Sequence, residues 1–127
     1  MNFRKFDTAM KNWKPATEPV DVENFQKVIL AYPFVVVHFW ADWNSLIEKK
    51  MDIVLSKVRP KFVGVAVYSF DVGSEEAWAI CRQFGILTLP TLLCFSSGQL
   101  QEVISGCRSA EELEAKFAGW KEDVIRN

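Results

Sequence analysis

The chain has 127 residues, half of them apolar, and its 15 basic and 16 acidic side chains leave a formal charge of −1. That length suits one domain with a core able to stand without disulfide staples, and 10 Phe and 5 Trp exclude disorder. Charge is spread evenly, with no basic stripe for a nucleic acid and no acidic tail. The longest apolar stretches, 34–41 and 85–95, fall far short of a membrane span.

Phe3, Phe6, Met10 and Trp13 recur at helical spacing before Lys14-Pro15, which predicts a short amphipathic helix. Residues 16–20 read as a Pro-bounded linker with a residual edge strand. Asp21 is placed to N-cap a second helix carrying Phe25, Val28 and Ile29 on one face. The β-branched run 34–40 predicts a strand buried on both sides. Ser45-Leu46-Ile47-Glu48 then fits a capping box, with Asn44 a competing cap, for a helix whose apolar face is Met51, Val54, Leu55 and Val58. Residues 62–70 predict another strand. Ser74 opens a helix to Phe84 with Trp78, Cys81 and Phe84 turned inward, and Gly85 ends it. Strands 91–95 and 100–105 flank a turn at Ser96-Ser97-Gly98-Gln99. Ser109-Ala110-Glu111-Glu112 is a second capping box, followed by a stripe of Leu113, Phe117, Trp120 and Val124. Alternating β and α elements followed by a hairpin and a helix imply an α/β fold: a mixed central sheet of four to five strands flanked by helices. Residues 1–19 read as an N-terminal helix and linker, and 20–127 as the domain.

Three motifs give that order a family likeness. Val37-His38-Phe39-Trp40-Ala41-Asp42-Trp43 is similar to the Val-Asp-Phe-Trp-Ala-x-Trp strand of the thioredoxin superfamily. Gly85-Ile86-Leu87-Thr88-Leu89-Pro90-Thr91 resembles its Gly-Ile-x-x-x-Pro-Thr stretch, and Ser97-Gly98 and Ser105-Gly106-Cys107 match its hairpin turn and the dipeptide near its active face. The resemblance spans residues 20–120 and leaves the first helix as an addition. It implies a thioredoxin-like fold and a cis Leu89–Pro90 bond, with the Leu89 backbone free to pair with an extended peptide. A trans Pro90 entering the strand is the plainer alternative.

The same resemblance exposes what is missing. Where the family carries Trp-Cys-x-x-Cys, this chain reads Trp43-Asn44-Ser45-Leu46-Ile47. Disulfide exchange needs a thiolate nucleophile, and neither an amide nor an alkyl group replaces it. His38, the one histidine, stands where the family has a buried aspartate that moves protons for the second cysteine. It reads first as a core imidazole with one or two hydrogen bonds, and secondly as a pH-sensitive or acid/base group. Asn44 and Ser45 at a helix start are explained by capping. Trp40 is expected to pack and Trp43 to be partly exposed at the groove. Cys94 and Cys81 read as core residues. Cys107 lies beside the groove, either as a small filler or as a lone reactive thiol.

The cysteines at 81, 94 and 107 make neither a disulfide framework nor a zinc pattern, and no catalytic residue, metal ligand set or cofactor is expected. No apolar segment of a secretory signal follows the first residues, so a cytoplasmic location is the expectation. The expected function is a redox-inactive protein- or peptide-binding module. Its groove would be Trp43, Leu89, Pro90, Gly106 and Cys107, and its degenerate active-site positions His38, Asn44, Ser45, Leu46 and Ile47. The alternative is a monothiol oxidoreductase or redox sensor using Cys107. Partners are expected to be protein or peptide, not nucleic acid or membrane, with self-association through the N-terminal helix as a further option.

Overall fold

The computed structural model describes residues 13–126. Five strands form one sheet in the order β1 (Glu18–Val20), β3 (Ala66–Asp71), β2 (Val35–Trp40), β4 (Thr91–Ser96) and β5 (Gln99–Ser105). The first three run parallel, and β4 and β5 are antiparallel to their neighbours. The helices are α1 (Phe25–Ala31), α2 (Ser45–Val58), α3 (Glu75–Gln83) and α4 (Ala110–Arg126), with single 3-10 turns at Asp42–Asn44 and Arg59–Lys61.

All six residues of β2 are buried, because the strand lies mid-sheet with helices on both faces. Its side chains alternate between two cores. Val35, Val37 and Phe39 meet Phe25 and Ile29 of α1 and Ala77 and Ile80 of α3. Val36 meets Met51, Leu55 and Val58 of α2 and Leu113, Phe117 and Trp120 of α4. Phe25 is the hub of the first core: the rings of Phe39, Phe70, Phe84 and Phe95 surround it at 5.6–6.1 Å. Such aromatic pairs each contribute about 0.5–1.5 kcal/mol beyond area burial.

Several boundaries move from their sequence expectation. Asp21 does not cap α1. It exchanges two hydrogen bonds with Asn24 in a turn ahead of the helix, at 2.8 and 2.9 Å, and Asn24 takes the N-cap position. On α3 the buried face is Ala77 and Ile80, with Cys81 and Phe84 packed against the core, while Trp78 is 52% exposed. Cys81 and Phe84 turn inward as expected and Trp78 alone does not, since the buried stripe Ala77, Ile80, Cys81 and Phe84 follows the i, i+3, i+4, i+7 pattern. β3 starts at Ala66 rather than Phe62, whose ring packs on Phe117 at 5.6 Å. A register shift between Cys94 and Phe95 sets Cys94 opposite Glu102, where an unbroken ladder counted out from the Ser97-Gly98 turn would place Gln101.

Other signals hold. Ser74 caps α3 by accepting from the Ala77 N–H. Ser109 and Glu112 form the reciprocal capping box of α4. The helix expected from Phe3, Phe6 and Met10 falls outside the described residues. Trp13 is described, and its ring stands edge-on to Trp40 at 5.6 Å.

The β4–β5 hairpin turns on Ser97 and Gly98, with φ of 50° and 81°. A pair of positive φ values matches the twist of a two-residue hairpin and favours glycine. A Cβ at Gly98 would run into Leu30 Cδ2, the tip of an exposed side chain that is able to move aside. Backbone strain therefore dominates the cost. Gly98→Ala is expected to lower stability by about 1–2 kcal/mol in urea unfolding, with a smaller loss for Leu30→Ala.

Candidate functional site: a groove beside a buried histidine–glutamate pair

β2 leads through the 3-10 turn Asp42–Asn44 into α2, and the first turn of α2 faces the segment before β4 and the residues after β5. Three contacts tie these segments together. Asn44 Nδ2 donates to the Leu89 carbonyl at 3.2 Å. The Gly106 N–H donates to the Pro90 carbonyl at 2.8 Å. The Cys107 thiol reaches the Ile47 carbonyl at 3.5 Å. The Leu89–Pro90 bond is cis. Asn44, Ile47, Leu89, Pro90, Gly106 and Cys107 thus converge although they come from three separate stretches of the chain. Trp43, Leu46 and Ile47 are 67%, 60% and 43% exposed around this point.

The capping box expected at Ser45 and Glu48 does not form. Asn44 is the N-cap residue of α2, yet no side chain there makes a capping hydrogen bond. Glu48 turns inward instead, and its Oε2 lies 2.7 Å from His38 Nε2, with both side chains fully buried. A carboxylate and an imidazole removed from water must find each other, and that requirement outweighs a cap worth about 1 kcal/mol. His38 Nδ1 and Glu48 Oε1 make no hydrogen bond to a described residue. His38 is therefore a core imidazole, as its strand position suggested, but its partner is an acid ten residues further on.

Glu48 was legible in principle. It stands three residues before Met51 and seven before Leu55, on the stripe that α2 buries. The capping-box match disguised it. Asp52 was missed in the same way: it lies on that face and accepts from the Ala16 N–H at 3.1 Å, fastening the approach to β1.

A cavity of about 850 Å³ has walls that include Val20, Phe70 and Trp43. Asp21, Asp42 and Asp71 are among its lining residues, with no lysine or arginine in the lining. Trp43 thus forms part of the wall of an acidic hollow. Among the described residues no group of three or more His, Cys, Asp or Glu is placed to hold a metal, and no helix is long and apolar enough to cross a membrane.

The thioredoxin family model matches residues 16–118. The chain belongs to the thioredoxin family. It is 30% identical over 105 residues to a thioredoxin of Alicyclobacillus acidocaldarius, covering 81% of this chain and 96% of that one. A bifunctional thioredoxin reductase/thioredoxin of Mycobacterium leprae is 27% identical over 94% of this chain and 25% of its own length. Among solved structures, oxidized mitochondrial thioredoxin 3 of Saccharomyces cerevisiae superposes with a TM-score of 0.67 at 25% identity, over 79% of this chain and 91% of that one. Human ERp44 superposes with a TM-score of 0.69 at 19% identity, and this chain spans 30% of its length.

The stretch after Trp43 reads Asn44-Ser45-Leu46-Ile47 and carries no cysteine. All three cysteines of the chain are free. Cys94 is buried, and burial pushes its thiol far above the usual range. Cys107 is exposed, but its thiol is also pushed up, first by partial burial and then by the nearby Glu48 charge, with Lys50 opposing. A raised thiol pKa means less thiolate at neutral pH and a poorer nucleophile.

Two outcomes follow from this geometry. Glu48→Ala leaves the buried imidazole alone and is expected to cost about 3–5 kcal/mol in denaturant unfolding, whereas His38→Leu combined with Glu48→Met costs far less. Alkylation of Cys107, followed against pH, is expected to reach half its maximal rate above the ordinary thiol range. Glu48→Gln, which removes the charge that helps raise the thiol, moves that midpoint down; a midpoint that does not move assigns the shift to burial alone.

Proposed function

We propose that the protein is a redox-silent member of the thioredoxin family that binds an extended protein segment. Its groove is lined by Asn44, Leu46, Ile47, Leu89, Pro90, Gly106 and Cys107, with Trp43 at its edge. Dithiol exchange needs an attacking thiolate and a resolving thiol, and the loop supplies an amide and an alkyl group in their place. The observation that carries the reading is the exposure of Trp43, Leu46 and Ile47 on a single turn, 67%, 60% and 43%, at the point where the groove contacts converge. Large apolar side chains held in water beside a backbone outside any ladder suit a partner that covers them.

A monothiol role for Cys107 has one observation in its favour, the exposure of the thiol beside the groove. Its raised pKa and its hydrogen bond to the Ile47 carbonyl favour a packing role.

Insulin reduction by dithiothreitol is expected to run no faster with the protein than without it; clear turnover overturns the redox-silent reading. Partners captured by the immobilised protein are expected to be lost on Leu46→Glu and reduced at least tenfold on Trp43→Ala. An unchanged partner set after both substitutions counts against the groove.

A further inference from the structure

We propose that the Asn44 side chain is a latch on the groove, occupying the Leu89 carbonyl until an arriving extended segment displaces it. This rests on the peptide-binding reading above and adds to it a regulated acceptor.

Three successive carbonyls precede or open β4, and each already has a donor. The Thr88 carbonyl accepts from the Thr91 hydroxyl at 2.7 Å, and the Pro90 carbonyl accepts from the Gly106 N–H at 2.8 Å. Both donors are fixed in the β4–β5 region. The Leu89 carbonyl between them accepts from a side chain, Asn44 Nδ2, at 3.2 Å. The Thr91 hydroxyl sits on a buried side chain of the same segment, whereas Asn44 is half-buried and reaches Leu89 from a separate stretch of chain, so Leu89 is the acceptor of the three most readily released. Leu89 itself lies just outside the β4 ladder, which begins at Thr91 paired with Ser105. An extended segment laid along this edge must donate an N–H to an acceptor such as this.

Asn44 has somewhere to go. It occupies the N-cap position of α2 without capping, whereas Ser74 and Ser109 cap α3 and α4 with their hydroxyls. A helix N-cap normally accepts from the second or third N–H of the helix, and asparagine is among the best residues for it. Here those N–H groups, at Leu46 and Ile47, receive no side-chain cap. Rotation of the Asn44 side chain, together with a swing of its ψ from 27° toward the extended value that Ser74 has as a cap, trades the Leu89 bond for the cap. One neutral hydrogen bond replaces another, so the two positions differ little in free energy. In the closed position the latch weakens binding. In the open position it stabilises the helix that carries Leu46 and Ile47 to the partner.

The test uses the whole chain and cysteine-free random decapeptides displayed on phage, with the affinity of a selected peptide measured by fluorescence anisotropy. Asn44→Ser keeps a cap but is too short to reach Leu89. It is expected to bind roughly threefold to tenfold more tightly than the parent, the equilibrium equivalent of one net hydrogen bond. Leu46→Glu is expected to abolish binding in either background. In the protein without peptide, the Leu89 carbonyl ¹³C resonance is expected to shift on Asn44→Ser, reporting loss of the donor. Equal or weaker binding by Asn44→Ser overturns the latch, while the groove reading stands so long as Leu46→Glu removes the peptide. No peptide selected by either protein overturns both readings. A Leu89 resonance that stays in place overturns the latch whatever the binding data.

Discussion

The constraint on which the structure rests is that β2 has no exposed face. A six-residue strand with every side chain buried requires a partner strand on each edge and a helical layer on each side. β3 and β4 fill the edges, α1 and α3 cover one face, and α2 and α4 cover the other. The loop leaving such a strand must emerge at the edge of the packed core. Asp42–Asn44 and the first turn of α2 are therefore held in one place, close to the residues that flank β4 and β5.

Within that apolar frame one polar interaction stands out. His38 points into the face covered by α2, fully buried, and Glu48 is the side chain it bonds among the described residues. Glu48 is brought to it because α2 must lay Met51, Leu55 and Val58 against the same face, which carries residue 48 inward as well. Two ionisable groups then share a buried site, and the usual helix cap is given up to let them meet. The consequence reaches the groove. α2 begins without a side-chain cap, Asn44 is free to span to Leu89, and the Glu48 charge helps hold the Cys107 thiol in its protonated form.

Where single residues carried local rules, the sequence was readable. The serine caps of α3 and α4, the two-residue hairpin at Ser97-Gly98 and the buried runs of β2 and β4 all depend on neighbours a few residues away. Where two rules competed for one residue, it was not. Ser45-x-x-Glu48 satisfies a capping pattern and a buried-face pattern together, and the first reads more clearly because it needs only four residues. Trp78 misled in the same way: a large aromatic on a helix invites burial, but the space beneath α3 is already filled by the Phe25 cluster, leaving room for Ala77 and Ile80. The register shift at Cys94 depends on how two strands meet, which no single segment encodes.

By itself the sequence determined the order of elements and the family likeness, since each is a matter of residue type and short-range spacing. It also singled out Leu89, Pro90, Gly106 and Cys107, because the motifs that carry them are contiguous. Only the tertiary structure decided which of those residues touch. The His38–Glu48 pair, the Asn44–Leu89 bridge and the Cys107–Ile47 contact join positions 10, 45 and 60 residues apart. Such contacts follow from how the two helical layers press on β2, and hydrogen-bond geometry at about 3 Å is set by that packing rather than by any local pattern.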